Sequence, residues 1–494
     1  MGVSTNFEER SRVSYFTRGS YQYKGRYGVD LSYRRDASSR YAPTSRWGVF
    51  PAISGRWTIS DEPFFAKAKK VMNFFKVRAS YGITGRDPGS YYAQYRQLTT
   101  NVAYPTSSLG FGATGNVITY NGVTAITPNY GGAAPATNIT WEKSPQSNLG
   151  IDMNFFKNRI GLTVDLYNKE SKDLIFTVPV PITTGYTTAQ NNFVDLVNQG
   201  VEFTLTTNNL SKTSDFNWQT SINVAFNNNF VTKLPSGNRD FSYGPVFLSR
   251  LLTLAQPVYG FRVFAVNGVY PTTADVPVDP LTGQRMRIYG GTQFVGGDNA
   301  KQDINGDYNV DDNDMIAKGN PNTKIYGGIV NTLSYKGFSL QILSTFIKGR
   351  SVWNGYLSDK LASASNNPPV NFGVLSGPAA EFNDLNLWRR SGDIATLGSL
   401  FSVTDPWTIR SSMFVEDASF FRIKTLNFGY TIRETRVTKK LGMKQLRFYS
   451  VIDNLKVFYS ANLPDPESIG IDGFTTANGY PIPKKITLGV DIQF

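Results

Sequence analysis

The chain has 494 residues, a formal net charge of +13, 40% hydrophobic residues and a mean hydropathy of −0.27, with neither cysteine nor histidine. No run approaches the roughly 18 apolar residues a membrane-crossing helix needs, and without thiols or imidazoles there can be no disulfides, thiolate metal sites or Ser-His and Cys-His nucleophiles. The 50 Lys and Arg are dispersed, with no basic run of five, which argues against a nucleic-acid partner.

Met1 to Arg10 holds neither an apolar stretch nor a small-residue cleavage site, so it is not read as a signal peptide. From there the dominant signal is period two, the spacing at which the two faces of a strand meet different surroundings. Over 12–23, Val13, Tyr15, Thr17, Gly19, Tyr21 and Tyr23 share one face, opposite Ser14, Arg18, Ser20 and Gln22. Lys24-Gly25 makes a tight turn, and 26–35 returns with Tyr27, Val29, Leu31 and Tyr33 on one side. Strands follow at 47–58 and at 73–85, where Phe75, Val77, Ala79, Tyr81 and Ile83 oppose Lys76, Arg78, Ser80 and Thr84. Next come 141–156 and 159–175, where Ile160, Leu162, Val164 and Leu166 oppose Gly161, Thr163 and Asp165. The pattern continues through 198–210, 216–233, 324–335, 338–348, 418–432 and 445–456. It ends at 485–494, where Ile486, Leu488, Val490, Ile492 and Phe494 alternate with Thr487, Gly489, Asp491 and Gln493 as the closing strand.

Connections in this series alternate. Short links at Lys24-Gly25, Lys157-Asn158, 210–215 and Lys336-Gly337 interleave with long ones at 86–140, 176–198, 235–323, 349–417 and 457–484. A soluble sandwich or β-helix also alternates along its strands. The length asymmetry is that of an outer-membrane barrel, with short periplasmic turns and long outer loops. The fold class is therefore read as all-β, a transmembrane antiparallel β-barrel, with residues 1–494 forming one portion of a single barrel domain. Because such barrels have even strand numbers with both ends periplasmic, thirteen strands are expected to be the C-terminal part of a longer barrel.

One local motif has chemical content of its own. Asp303, Asn305, Asp307, Asn309, Asp311 and Asp314 place oxygens at positions 1, 3, 5, 7, 9 and 12 of a calcium-type loop, with apolar Val310 at position 8. Position 6 is Tyr308 where such loops carry Gly, and position 12 is Asp where they carry Glu. The competing reading is an Asx-rich outer loop whose side chains cap their own turns. Calcium is accordingly the one cofactor considered, in a structural role. The carboxylate pairs Glu416-Asp417 and Asp465 with Glu467 could in principle serve glycoside hydrolysis, but no convergent acid, base and nucleophile set accompanies them, and no enzyme is expected. Tyr91, Tyr92, Tyr95, Tyr104, Tyr120 and Tyr130 could stack on sugars or simply pack within the loop. Arg18, Arg34, Lys76, Arg78 and Asp165 are expected to line the lumen or to meet a plug within it. Substrate-binding residues are not readable.

Taken together, several segments resemble the SusC/RagA family of TonB-dependent outer-membrane transporters of Bacteroidota. They are 33–40 (YRRDASSR) leading into 46–52 (RWGVFPA), 75–85 (FKVRASYGITG), 141–143 (WEK) with 148–152 (NLGID), 319–322 (GNPN), 335–338 (YKGF), 414–417 (FVED) and the terminal 488–494. The resemblance covers essentially the whole chain. It implies a 22-stranded barrel of which these are the last thirteen strands, with nine strands, the lumen plug and the TonB box outside this chain. It also implies an outer-membrane location, a SusD-like surface lipoprotein as lid, coupling to the TonB complex, contact with outer-membrane lipid, and an oligosaccharide or, next, an oligopeptide as cargo. A reading from a different class is an extracellular adhesin or carbohydrate-binding module with calcium-stabilised loops.

Overall fold

The computed structural model describes residues 7–95, 133–210, 215–243, 250–365, 385–402, 404, 410–433, 442–470, 472–475 and 481–494, with backbone alone at 360, at 362–365 and in four two-residue strands between 98 and 128. The thirteen long strands are β1 (Arg12–Tyr23), β2 (Tyr27–Ser38), β3 (Trp47–Thr58), β4 (Met72–Arg86), β5 (Glu142–Phe155), β6 (Ile160–Pro179), β7 (Thr188–Asn208), β8 (Phe216–Lys233), β9 (Ile325–Tyr335), β10 (Phe338–Lys348), β11 (Phe420–Arg433), β12 (Gln445–Tyr459) and β13 (Lys485–Gln493). They form one antiparallel sheet in strict chain order. The outer edges of β1 and β13 have no strand partner among the described residues.

Register fixes which side chains share a face. Val77 pairs with Trp57 and Ile151, Ile151 with Val164, Val164 with Phe203, Phe203 with Val224 and Val224 with Gly327, giving an apolar ring around one surface. One residue along, Arg78 pairs with Arg56 and Gly150, Gly150 with Asp165, Asp165 with Glu202 and Glu202 with Ala225, giving a polar ring on the other. The apolar surface is open: Leu488 is 77% exposed and Tyr15 62%. An apolar face this extensive, on a sheet whose other face is charged, suits lipid outside and water inside. Among the described residues no helix is long and apolar enough to cross a membrane, which says nothing of strands.

The short turns follow from backbone chemistry. Lys24 and Gly25 both adopt positive φ (+48° and +67°), as the central residues of a type I′ turn do, and with Arg26 they make a three-residue connection between the paired Tyr23 and Tyr27. Lys336 and Gly337 repeat the pair of positive φ angles (+43° and +91°), and a Cβ on Gly337 would stand 2.6 Å from the Thr431 carbonyl oxygen.

One expected connection is corrected. The segment 176–198, read as a long loop, is mostly ladder, because β6 runs to Pro179 and β7 starts at Thr188. Beyond Leu166 and Val201 the outward positions turn polar at Asn168, Glu170 and Gln199, so the alternation that marks a lipid-facing strand stops while the backbone pairing continues. Register shifts between Ser171 and Ile175, with Asp173 at φ +58°, mark the transition.

Candidate ligand-facing wall and outer lobe

The lumen side of β4 to β6 carries a charge cluster. Arg78 spans Asp152 (3.0 and 3.1 Å) and Asp165 (2.9 Å), and Lys76 reaches Asp152 at 2.8 Å. Gly150 makes room for it, since a Cβ there would stand 2.5 Å from an Asp165 carboxylate oxygen and 2.6 Å from the Arg78 guanidinium. Near β1, Arg18 pairs with Asp30 (3.2 Å), and Arg34 and Arg12 both hold the buried Asp36 at 2.8 Å. The lumen charges expected from the sequence thus lie on the polar face, in opposite-sign pairs.

Further round, the wall becomes neutral. The inward row of β8 reads Asn217, Gln219, Ser221, Asn223, Ala225, Asn227 and Asn229. Tyr167 lies over Gly200 and its hydroxyl donates to Asn227 Oδ1 at 2.7 Å. Amides and hydroxyls both donate and accept, so this wall can bind uncharged polar groups without fixed charge.

The long connections build an outer lobe. Strands 241–243, 250–252, 261–264 and 315–318 form a sheet over a core that includes Phe264, Met286, Phe294 and Val310. A second cluster of Tyr41, Phe50 and Trp141 closes the rim above β3, where the Trp141 indole N–H donates to the Arg46 carbonyl at 2.9 Å. Three arginines pin the 460–484 loop. Arg422, buried on β11, meets Asp465 at 2.5 Å and Glu467 at 2.8 Å, and Lys424 meets Glu467 at 2.5 Å. Arg422 and Lys424, two positions apart on β11, thus reach the same loop, at a register shift between Ile423 and Thr425. Arg350 donates to the Gly470 carbonyl at 3.0 Å. Arg250 donates to the carbonyls of Tyr259 (2.9 Å) and Asp472 and stacks 4.3 Å from the Phe474 ring centre. Burial holds the Arg250 and Arg350 guanidinium groups below their ordinary range. Arg410 is pushed down to about 10 by burial and by the nearby charges of Arg250 and Arg262, and so stays protonated at neutral pH.

The carboxylate pairs are occupied by this scaffolding. Glu416 accepts from Asn354 Nδ2 and from the Asn462 amide, both at 2.7 Å, and Asp417 accepts from Ser419. Asp465 accepts from the Glu467 amide as well as from Arg422. Their role tying loops together was missed in the sequence because their side-chain partners Asn354, Arg422 and Lys424 lie 43 or more residues away.

In the 303–314 loop, Asp303 accepts the amides of Gly306 (2.7 Å) and Tyr308 (2.8 Å), Asp307 that of Asn309 (2.8 Å), and Asp311 that of Asn313 (2.8 Å). Asn305 Nδ2 donates to Asp307 and Asn309 Nδ2 to Asp311. Asp314, fully buried, accepts from Ile304 and Asp311. Tyr308 holds the left-handed φ of +58° at position 6. Among the described residues no three His, Cys, Asp or Glu stand close enough to hold a metal ion. Of the loop tyrosines, Tyr91 lies 4.0 Å under the Arg40 guanidinium and Tyr92 accepts the Glu9 amide (3.0 Å), while Tyr95 is 56% exposed. The side chains of Tyr104, Tyr120 and Tyr130 lie outside the described residues.

The family model described as TonB dependent receptor-like, beta-barrel matches residues 2–310. A TonB-dependent receptor of Formosa agariphila is 28% identical over 100% of this chain and 47% of its own length. TonB-dependent receptor SusC of Bacteroides thetaiotaomicron is 27% identical over 98% of this chain and 44% of its own length. The chain thus spans about half the length of the curated relatives it matches. Among solved structures, the RagAB peptide importer in its open-open state has the same fold, with a TM-score of 0.74 at 21% identity over 98% of this chain and 47% of that one.

Proposed function

Because the chain belongs to the TonB-dependent receptor-like β-barrel family and so to the outer membrane, we propose that it supplies barrel wall and outer lobe to a nutrient importer. The observation that carries this reading is the chain-ordered antiparallel sheet with a continuous apolar outer face, a polar inner face and its long connections gathered at one end. In lipid every backbone N–H and C=O must be paired, so the open edges of β1 and β13 call for further strands to close the ring. Coupling to TonB then runs through the half of the relatives' length that this chain does not span. A SusD-like surface lipoprotein is the proposed partner at the outer lobe.

The proposed cargo is an oligosaccharide, in keeping with the neutral amide row of β8, which matches hydroxyl groups without demanding charge. An oligopeptide is second, by likeness to the RagAB peptide importer. Mass spectrometry of material retained by the intact receptor, purified with its surface partner, should show masses spaced by sugar units. Peptide masses instead would move the assignment to the second cargo. An adhesin would remain monodisperse after detergent removal, whereas this chain should aggregate.

We also propose that the 303–314 loop takes a structural calcium ion. Support comes from the oxygen spacing and from the left-handed backbone at position 6, where calcium loops turn sharply. Calorimetric titration of the intact receptor should give a calcium heat that Asp303→Ala and Asp307→Ala abolish. No heat, or heat unchanged by both substitutions, overturns it.

A further inference from the structure

The chain's positive charge is not shared between its two ends. The six turn-side connections (24–26, 59–71, 156–159, 209–215, 336–337 and 434–444) carry thirteen Lys and Arg against four Asp and Glu. The six loop-side connections (39–46, 87–141, 180–187, 234–324, 349–419 and 460–484), more than six times longer in total, carry seventeen against twenty. Forty residues therefore hold +9 of the chain's +13, while the opposite end is slightly negative.

Among the described residues the three turn-side carboxylates are already engaged. Glu62 is taken by Arg26 (3.1 Å), Asp61 by Lys69 (3.7 Å) and Asp215 by Lys336 (3.8 Å). That leaves Lys24, Lys67, Lys70 and Lys157 exposed, with no carboxylate partner among the described residues. Aromatic side chains accompany them at the same level: Lys24 lies 5.1 Å from the Tyr23 ring centre, Phe156 precedes Lys157, and Phe64 precedes Lys67 by one turn of the 63–70 helix. Exposed aromatics beside cations suit a membrane–water boundary, where the ring sits among headgroups and the ammonium reaches phosphate.

We infer that the turn-side rim is a collar that binds anionic phospholipid headgroups of the leaflet facing the periplasm. The inference rests on the barrel reading above. Charge complementarity selects the occupant, since juxtamembrane cations concentrate anionic over zwitterionic lipid. Two intrinsic probes lie at this rim, Trp57 near the end of β3 and Trp218 near the start of β8, both partly exposed.

The test is tryptophan quenching in the full-length receptor reconstituted with dibrominated phosphatidylglycerol or dibrominated phosphatidylcholine. At low salt the anionic lipid should compete for the rim about threefold better or more, a ratio falling towards one in 0.5 M salt. The combined variant Lys24→Gln, Lys67→Gln, Lys70→Gln, Lys157→Gln should also bring the ratio near one. Equal quenching by the two lipids in the unmodified receptor, as expected if the collar instead meets an acidic soluble partner, overturns the inference. So does a preference that survives both salt and substitution. Absence of quenching by either lipid would instead sink the barrel reading itself. The salt series needs no variant, so misfolding of the substituted protein cannot mask the result.

Discussion

At the scale of single residues, Gly200 shows how tightly the lumen wall is drawn. A Cβ there would meet the Phe226 carbonyl oxygen at 2.1 Å and the Tyr167 hydroxyl at 2.5 Å, whereas one on Gly19 of β1 would meet nothing within 4 Å. Gly200→Ala is expected to destabilise the folded receptor by about 1–3 kcal/mol through overpacking, and Gly19→Ala to change stability by no more than about 0.5 kcal/mol. Denaturant unfolding in detergent, monitored by tryptophan emission, would check the pair, and equal effects would mean that the wall yields at Gly200. Both glycines sit within alternating strands, so the sequence does not distinguish them. What separates them is a tyrosine from the neighbouring strand, and only the register reveals it.

Among elements, the 460–484 loop depends on β11. Arg422→Ala would leave Asp465 buried and unpaired, a local cost of about 3–5 kcal/mol. The expected outcome is rapid protease cleavage within 460–484 while the barrel strands stay protected, read by mass mapping of fragments. Cleavage no faster than in the unmodified receptor would show that Arg350 and Arg250 suffice to hold the loop. The long strands were legible because lipid and water impose period two on them. The outer lobe was not, because its core draws Phe264, Met286, Phe294 and Val310 from separate short strands and turns with no shared period. The 303–314 motif was visible as a spacing of oxygens. Which amides those oxygens accept depends on a backbone path that the spacing does not fix.

For the whole molecule, the apolar band is the property most directly exposed to test. Leu488→Arg would place a charge on the outward row of the last strand, costing about 2–4 kcal/mol if it lies near the bilayer midplane. A marked fall in the amount of receptor recovered from outer membranes is expected, with Thr487→Arg, on the inward row, tolerated far better. Equal recovery of the two would contradict the assignment of faces. The order of strands and the two faces of the sheet were readable from alternation and connection length alone. Cargo was not, because the amide row of β8 carries no signature in the sequence until pairing aligns it with its neighbours.

The hairpin of β6 and β7 also serves as a depth gauge. Its outward row is apolar from Ile160 to Leu166 on one strand and from Leu205 to Val201 on the other, then turns polar at Asn168, Glu170 and Gln199, yet the ladder continues for about a dozen residues beyond Leu166 and Val201. Hydrogen exchange along this single hairpin should therefore step from very slow to faster near Asn168 and Gln199. The position of that step records the height of the bilayer surface on the protein, so thicker or thinner membranes should shift it along the same two strands.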